Sequence, residues 1–385
     1  MFSFFKKKEY KLTPIQELLL ALLRAQLWLK PVDEIVLPST PEEWDELINL
    51  GYKQTVICFI AKACLRHPKV DEIPTDIRDE FEAVLEENAK IHECHNAILI
   101  ELFTKFEEQG LHPILLKGQG IAQMYPEPEL RQCGDIDLYF SPEEYEKAKV
   151  FIFTLDINAK QEKETYKHYG TSYKGIDVEL HRHICNFPNP FVNKKFQEWT
   201  LEEMKSPSSV VIAGNDVSVS SPIYGLISSF AHMWHHFENE DASLRQLCDI
   251  EMMYEYWKKN ADLSLLEGKL NKFDLLRYWC IIICLWDKFL QDSLTGNKIR
   301  YAKQAYLILS FIFLNGGFRH GRSCVNHKNM MIEKIKIRYN RVLGRYIKYY
   351  PILGIQLFWR YAVREKVKPY LWLRTIIDSG FGFRK

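Results

Sequence analysis

The sequence predicts an α+β protein in which a mixed-sheet core is flanked by N-terminal and C-terminal helical regions. Three observations carry that prediction. Apolar residues recur at the helical period near both ends of the chain, short segments of strict alternation gather in its middle, and proline, glycine and asparagine turn signals separate them. The expected division is a helical region over 1–110, an α/β core over 111–221, and a helical region with a basic tail over 222–385. A chain of 385 residues that is 47% hydrophobic and 14% aromatic can bury a large core in two or three packed units.

Each element has a local reason. Thr13 followed by Pro14 is an N-terminal signal, and Ile15, Leu18, Leu19, Leu22, Leu23 and Leu27 form the apolar stripe of the first helix. More helices follow, the longest expected from about 76 to 108. The core then begins with a short strand over 113–116. Ile136, Leu138 and Phe140 alternate with Asp135 and Asp137 in a second strand, and a helix is expected over 142–153. From 173 to 183, Ile176, Val178 and Leu180 fall on one face of a strand, with Asp177, Glu179 and His181 on the other. Val210 to Val219 is expected to form strands, with Asn215-Asp216 as a hairpin turn. After Pro222 the pattern is helical. The apolar stretches 279–286 and 306–314 fall well short of the ~20 residues that span a bilayer and are expected as buried helices.

Composition narrows the setting. The net charge of +1 excludes no class of partner, but from Arg319 onward basic residues outnumber acidic ones 16 to 3. Nine cysteines without a C-x-x-C pair offer no disulfide framework. Cys58, Cys64, Cys94, Cys280 and Cys284 lie in apolar, helical contexts typical of buried thiols, which fits a reducing cytoplasm. No signal peptide or transmembrane segment is evident, so a cytoplasmic protein is expected.

The chemistry concentrates in Lys117-Gly118-Gln119-Gly120, Tyr125-Pro126, Arg131 and Asp135-Ile136-Asp137-Leu138. The period of two aims Asp135 and Asp137 at one face of a strand, where a carboxylate pair can hold divalent ions that clamp the attacking and leaving oxygens of a displacement at phosphorus. Such a site calls for a third carboxylate from a neighbouring strand, and Glu179 supplies it. The plainer reading, an ordinary exposed acidic face, runs against the depletion of Asp in strands.

The run Leu116-Lys117-Gly118, Tyr125-Pro126, Arg131, Asp135-Ile136-Asp137-Leu138 and Val178-Glu179-Leu180-His181 resembles the uncharacterised nucleotidyltransferase family (NTP_transf_5-like) of the DNA polymerase β superfamily, over roughly residues 90 to 260. The resemblance implies a polymerase β-like nucleotidyltransferase core that moves NMP from an NTP to an unidentified hydroxyl or phosphate acceptor, using Mg²⁺ or Mn²⁺ and releasing pyrophosphate. Asp135, Asp137 and Glu179 become the catalytic metal ligands, with Glu179 also a candidate base toward the acceptor. Lys117, Gly118, Gln119, Gly120 and Arg131 become the nucleotide contacts: glycines for close backbone approach, a helix N-terminus for the anion, Arg for its bidentate fork. This chain has Gln119 where better-studied members carry Ser or Gly, and Glu179 where Asp is common. Those two residues sustain the alternative, a catalytically degenerate module that senses nucleotide or binds a partner.

Two further groups have chemistry of their own. His232 and His236 lie one helical turn apart, as do Arg245 and Asp249. Zinc ligation, structural histidines and substrate contact all fit the histidine spacing, and the resemblance favours substrate contact for these four residues; Asp177 and His181 are further candidate substrate contacts. In the tail, Lys334, Lys336, Arg338, Arg341, Arg345 and Lys348 interleave with apolar and aromatic residues, which suits a solvated helix face, an anionic membrane surface, RNA or an anionic acceptor. Arg322 and His327 also match the two-residue Arg-x4-His spacing of HEPN-type ribonucleases, a spacing common by chance.

Overall fold

The computed structural model describes residues 12–155, 164–187, 189–239, 242–290 and 302–315. Residues 1–186 and 192–320 form one compact unit. The basic residues 334–348 and the Arg322/His327 pair lie outside the described residues.

Helix α1 (Pro14–Leu27) starts at a capping box: the Thr13 hydroxyl accepts the Gln16 N–H at 3.2 Å, and the Gln16 side chain accepts the Thr13 N–H at 3.1 Å. Thr40 and Glu43 repeat the device at α2 (Pro41–Lys53). These helices pack with α3 (Ile57–Leu65), which rests on the 33-residue α4 (Thr75–Glu107). The core follows as β1 (Ile114–Leu115), the four-residue α5 (Gln119–Ala122), β2 (Asp135–Tyr139), α6 (Pro142–Leu155), β3 (His168–Tyr173), β4 (Ile176–His181), α7 (Pro190–Glu203), β5 (Ser208–Ile212) and β6 (Asn215–Val219). Helices α8 (Pro222–Asn239), α9 (Leu244–Asn260), α10 (Leu266–Lys272), α11 (Leu276–Phe289) and α12 (Ala302–Asn315) complete the described chain.

The described strands form one six-stranded mixed sheet in the order β3-β4-β2-β1-β6-β5. Its inner face carries Ile136, Leu138, Ile176, Val178 and Leu180, which pack against Leu99, Leu102, Phe103 and Phe106 of α4 and Tyr145, Ala148 and Ile152 of α6. The apolar half of each strand is therefore held in the core, and the alternation leaves the acidic half on the opposite face. Strands β2 and β4 run parallel in a register that sets Asp135 beside Asp177 and Asp137 beside Glu179.

Some local expectations change. The segment 173–183 is not a single strand: Tyr173 ends β3, and Lys174 and Gly175, at φ 49° and 84°, make the turn into β4. The β5–β6 turn sits at Ala213-Gly214, both with positive φ (46° and 77°), and Asn215-Asp216 already belong to β6. The Asn215 amide instead braces the turn by donating to the Ala213 carbonyl at 2.9 Å. Cys94 is exposed on α4 and Cys280 half-buried, whereas Cys58, Cys64 and Cys284 are buried thiols as expected. Helices α11 and α12 bury Trp279, Trp286, Ile308, Leu309 and Ile312, and among the described residues no helix is long and apolar enough to cross a membrane.

Candidate active site

The acid face of the sheet gathers the residues that the strand period places there. Asp135 stands exposed at the start of β2, Asp137 is 1% exposed one repeat further in, and Glu179 is half-buried on β4. One carboxylate oxygen from each lies within 4.8 Å of the other two. That crowding shows in the acidity of Asp135. The Asp137 charge, with burial and Glu179 adding to it, pushes the Asp135 carboxyl up to about 6 against the pull of Lys117. Burial works against the Asp137 charge too, but Lys117 and His181 outweigh it and hold that carboxyl well below the usual range. Three carboxylates forced together with one neutralising ammonium suit a divalent cation, whose charge would relieve the repulsion that Asp135 bears.

Lys117 reaches this cluster from the loop after β1, its Nζ 3.2 Å from Asp137 Oδ1. Burial opposes its charge, yet the charges of Asp137, Asp135 and Glu179 raise its pKa, so it remains an ammonium. The turn that carries it is fixed by Gly118, whose φ of 56° with ψ of −119° is open to glycine almost alone. A side chain there would also come within 3.3 Å of the Asp135 carbonyl oxygen. The other two turn residues face away from the carboxylates. Gln119 is 1% exposed and donates to the Asn96 side chain at 2.6 Å and the His92 carbonyl at 3.2 Å, both on α4. A Cβ at Gly120 would meet Leu115 and Val219 at 3.2 and 3.3 Å, so this glycine serves helix–sheet packing. With α5 only four residues long, the expected helix N-terminus adds little to an anion site.

Arg131 also departs from expectation. Its guanidinium is 4% exposed and grips Asp249 in a bidentate pair, Nε to Oδ1 at 2.7 Å and Nη2 to Oδ2 at 2.8 Å, while the Tyr125 hydroxyl donates to the same Oδ1 at 2.7 Å. The fork expected to meet a triphosphate instead ties the loop before β2 to α9. Arg245, one turn before Asp249, strengthens the tie by donating to the Gln132 carbonyl at 2.9 Å. Arg245 and Asp249 therefore both hold the loop before β2. The demand for a partner inside the protein outweighs the availability of an arginine for ligand, because neither charge could be buried alone.

The histidines divide differently. His181 is buried, and its Nε2 meets Asp137 Oδ1 at 2.7 Å and Glu179 Oε2 at 3.1 Å. Burial opposes its charge, but the hydrogen bonds to Asp137 and Glu179 raise its pKa. His232 and His236 touch through their Nε2 atoms at 2.9 Å. Burial holds His232 well below its ordinary pKa, Lys117 and His236 push the same way, and Asp137 opposes them, which puts His232 within electrostatic reach of the carboxylates. Among the described residues no third metal-ligating side chain joins the His232/His236 pair. Asp177 shares the acid face but stands exposed at the outer end of β4, outside the three-carboxylate group.

His168 escaped the sequence reading because β3 did. Its imidazole lies on the acid face, opposite His181 in the β3–β4 register, with Nδ1 3.3 Å from Glu179 Oε2. The signal was present: Tyr169, Thr171 and Tyr173 alternate with His168, Gly170 and Ser172 and run directly into Lys174-Gly175. His95 is a second omission. Its ring nitrogens lie 2.8 and 3.1 Å from the Ile91 and Gly134 carbonyl oxygens, which accept from ring N–H, and so it anchors the residue before Asp135 to α4.

Residues 40–291 match the sequence profile of a family described as uncharacterised nucleotidyltransferase. No curated protein matches the chain. Among solved structures it is similar to that of an antigenic nucleotidyltransferase-like protein from Paracoccidioides brasiliensis, at 11% identity and a TM-score of 0.34, over 52% of this chain and 94% of the other.

Proposed function

The chain belongs to the uncharacterised nucleotidyltransferase family, and from that premise we propose that it transfers NMP from an NTP to an acceptor hydroxyl or phosphate on a polymerase β-like core. The acceptor oxygen attacks the α-phosphorus, the bond from that phosphorus to the bridging oxygen breaks, and pyrophosphate leaves. The observation that carries this reading is the parallel β2–β4 register, which assembles Asp135, Asp137 and Glu179 around one point beside Lys117. Residues 111–221 carry the chemistry, and the described helices over 14–107 and 222–315 flank that segment in the chain.

In this reading Asp135, Asp137 and Glu179 hold Mg²⁺ or Mn²⁺, which supplies charge neutralisation to the phosphates when bound. Asp137, fixed by His181 and Lys117, is the best-oriented of the three. Lys117 balances the carboxylates in the metal-free protein and offers its ammonium to triphosphate oxygens once ions take over that balance. Gly118 keeps side-chain bulk away from the mouth beside Asp135. Glu179, more open than Asp137, accepts the proton of the attacking hydroxyl. Positioning and electrostatics do most of the work in such transfers. A nucleotide-sensing module is the second reading, favoured by the withdrawal of Arg131 and Gln119 from the open face.

One experiment separates the two. Purified protein incubated with α-labelled NTPs, Mg²⁺ or Mn²⁺ and small-molecule and macromolecular cell fractions should move label onto an acceptor, and Asp137→Ala should abolish the transfer. Metal-dependent NTP binding with no transfer to any fraction would leave the sensor. Equal, tight NTP binding in EDTA would remove the carboxylates as metal ligands and favour the sensor.

A further inference from the structure

Glu179 belongs to two donor sets of different chemical character. One is the three-carboxylate group. The other is His168, Glu179 and His181, whose ligand atoms also lie within 4.8 Å of one another. Glu179 Oε2 is 3.1 Å from His181 Nε2 and 3.3 Å from His168 Nδ1. A tetrahedral ion with donor distances of about 2.0–2.1 Å holds neighbouring donor atoms about 3.3 Å apart, so two edges of such a site stand close to that spacing before any side chain moves.

The backbone explains why the three converge. His168 and His181 are directly opposed in the antiparallel β3–β4 ladder, and Gly170, with no side chain, stands opposite Glu179. The carboxylate therefore leans along the sheet face toward the imidazoles without a competing neighbour from β3. The surroundings allow entry: the His168 and Glu179 side chains are 22% and 27% exposed, while His181 forms a buried floor at 4%. Two imidazoles with one carboxylate favour a borderline transition ion, whereas three carboxylates favour a hard ion such as Mg²⁺.

We propose that His168, Glu179 and His181 form a second divalent-metal site, selective for a transition ion of the Zn²⁺ or Co²⁺ class, with a fourth position open to water. The site abuts the acidic group through Glu179 and through His181 Nε2, which gives up its hydrogen bond to Asp137 when it ligates, and is defined by His168, which the acidic group does not use. It stands whether or not the protein transfers nucleotides.

Metal-stripped full-length protein titrated with Co²⁺ should develop the intense visible bands of a four-coordinate ion with nitrogen ligands. Zn²⁺ should displace that ion, and a large excess of Mg²⁺ should not. His168→Ala should weaken Co²⁺ binding by about 10–100-fold or more. His168→Asn, closer in shape, should show the same loss and serves if the alanine variant folds poorly by circular dichroism. Asp135→Asn should keep the Co²⁺ bands while losing Mg²⁺-dependent NTP binding. The proposal is overturned if the bands are absent, survive both His168 changes, vanish in Asp135→Asn, or are erased by Mg²⁺. Failure of nucleotide transfer alone would remove the preceding functional reading and leave the Co²⁺ result untouched.

Discussion

Replacing Asp135 by Asn should make the metal-free protein more stable. The Asp137 charge, burial and Glu179 together raise the Asp135 carboxyl from its ordinary 3.8 to about 6, so its ionised form is strained in the folded protein. At about 1.4 kcal/mol per pH unit, that rise corresponds to a ceiling of about 3 kcal/mol. Asp135 is more than a third exposed, and solvent screening brings the expected gain to about 1–1.5 kcal/mol. For a unit of this size that is roughly 1.5–2.5 °C in Tm. The sign with pH follows from proton binding. A folded-state pKa above the unfolded one means the folded chain holds the proton longer, so metal-free wild type loses stability as pH rises from about 4 to about 6. The Asn variant lacks that loss. In EDTA its Tm should equal that of wild type near pH 4 and exceed it at about pH 7.5. With saturating Mn²⁺ the order should reverse, since binding at about 100 times Kd stabilises wild type by about 2.7 kcal/mol. Scanning calorimetry at both pH values, with and without metal, tests this. A variant less stable than wild type in EDTA at the higher pH would refute the claim that the three carboxylates repel one another in the absence of metal.

The neighbouring carboxylate should behave oppositely: Asp137→Ala, which removes the Lys117 partner and leaves His181 with Glu179 alone, should cost about 3 kcal/mol in denaturant unfolding as well as abolishing transfer. Arg131→Met should cost about 3–5 kcal/mol by leaving Asp249 buried and unpaired, and Arg131→Met with Asp249→Leu should recover most of it; a single-variant cost under about 1 kcal/mol would argue against the pair as a structural tie. Mn²⁺ affinity should fall by up to about tenfold per pH unit below about 6 as Asp135 takes up a proton, and a flat calorimetric profile across that range would place the metal elsewhere. Lys117→Ala should weaken apparent NTP affinity in steady-state kinetics, whereas unchanged kinetics with unchanged stability would exclude it from the site.

The carboxylate face was legible because strand alternation is a local property. Ile136 and Leu138 must enter the core, and Asp135 and Asp137 then have one direction left. The same logic read Glu179 from Val178 and Leu180. The roles of Arg131, Gln119 and Gly120 were not legible, since each is decided by a partner far away in sequence: Asp249 for Arg131, His92 and Asn96 for Gln119, Val219 for Gly120. Residue type alone does not tell a guanidinium that awaits phosphate from one already paired. His168 was overlooked for a different reason. Its strand carries tyrosine, glycine, threonine and serine where Val or Ile would have advertised it, and the Lys174-Gly175 turn was read as strand.

The Tyr125, Arg131 and Asp249 contact has a practical consequence for anyone dissecting the chain. A fragment ending near residue 221 would retain the sheet and all three carboxylates yet lose α9, and with it the anion that Arg131 requires. The loop leading into Asp135 would then carry an orphaned guanidinium and phenol at the doorstep of the carboxylates, with nothing to set their direction. The smallest portion that preserves the geometry must extend through α9, to Asn260. Helical and sheet segments that look separable by sequence pattern are, at this one buried anion, a single inherited piece.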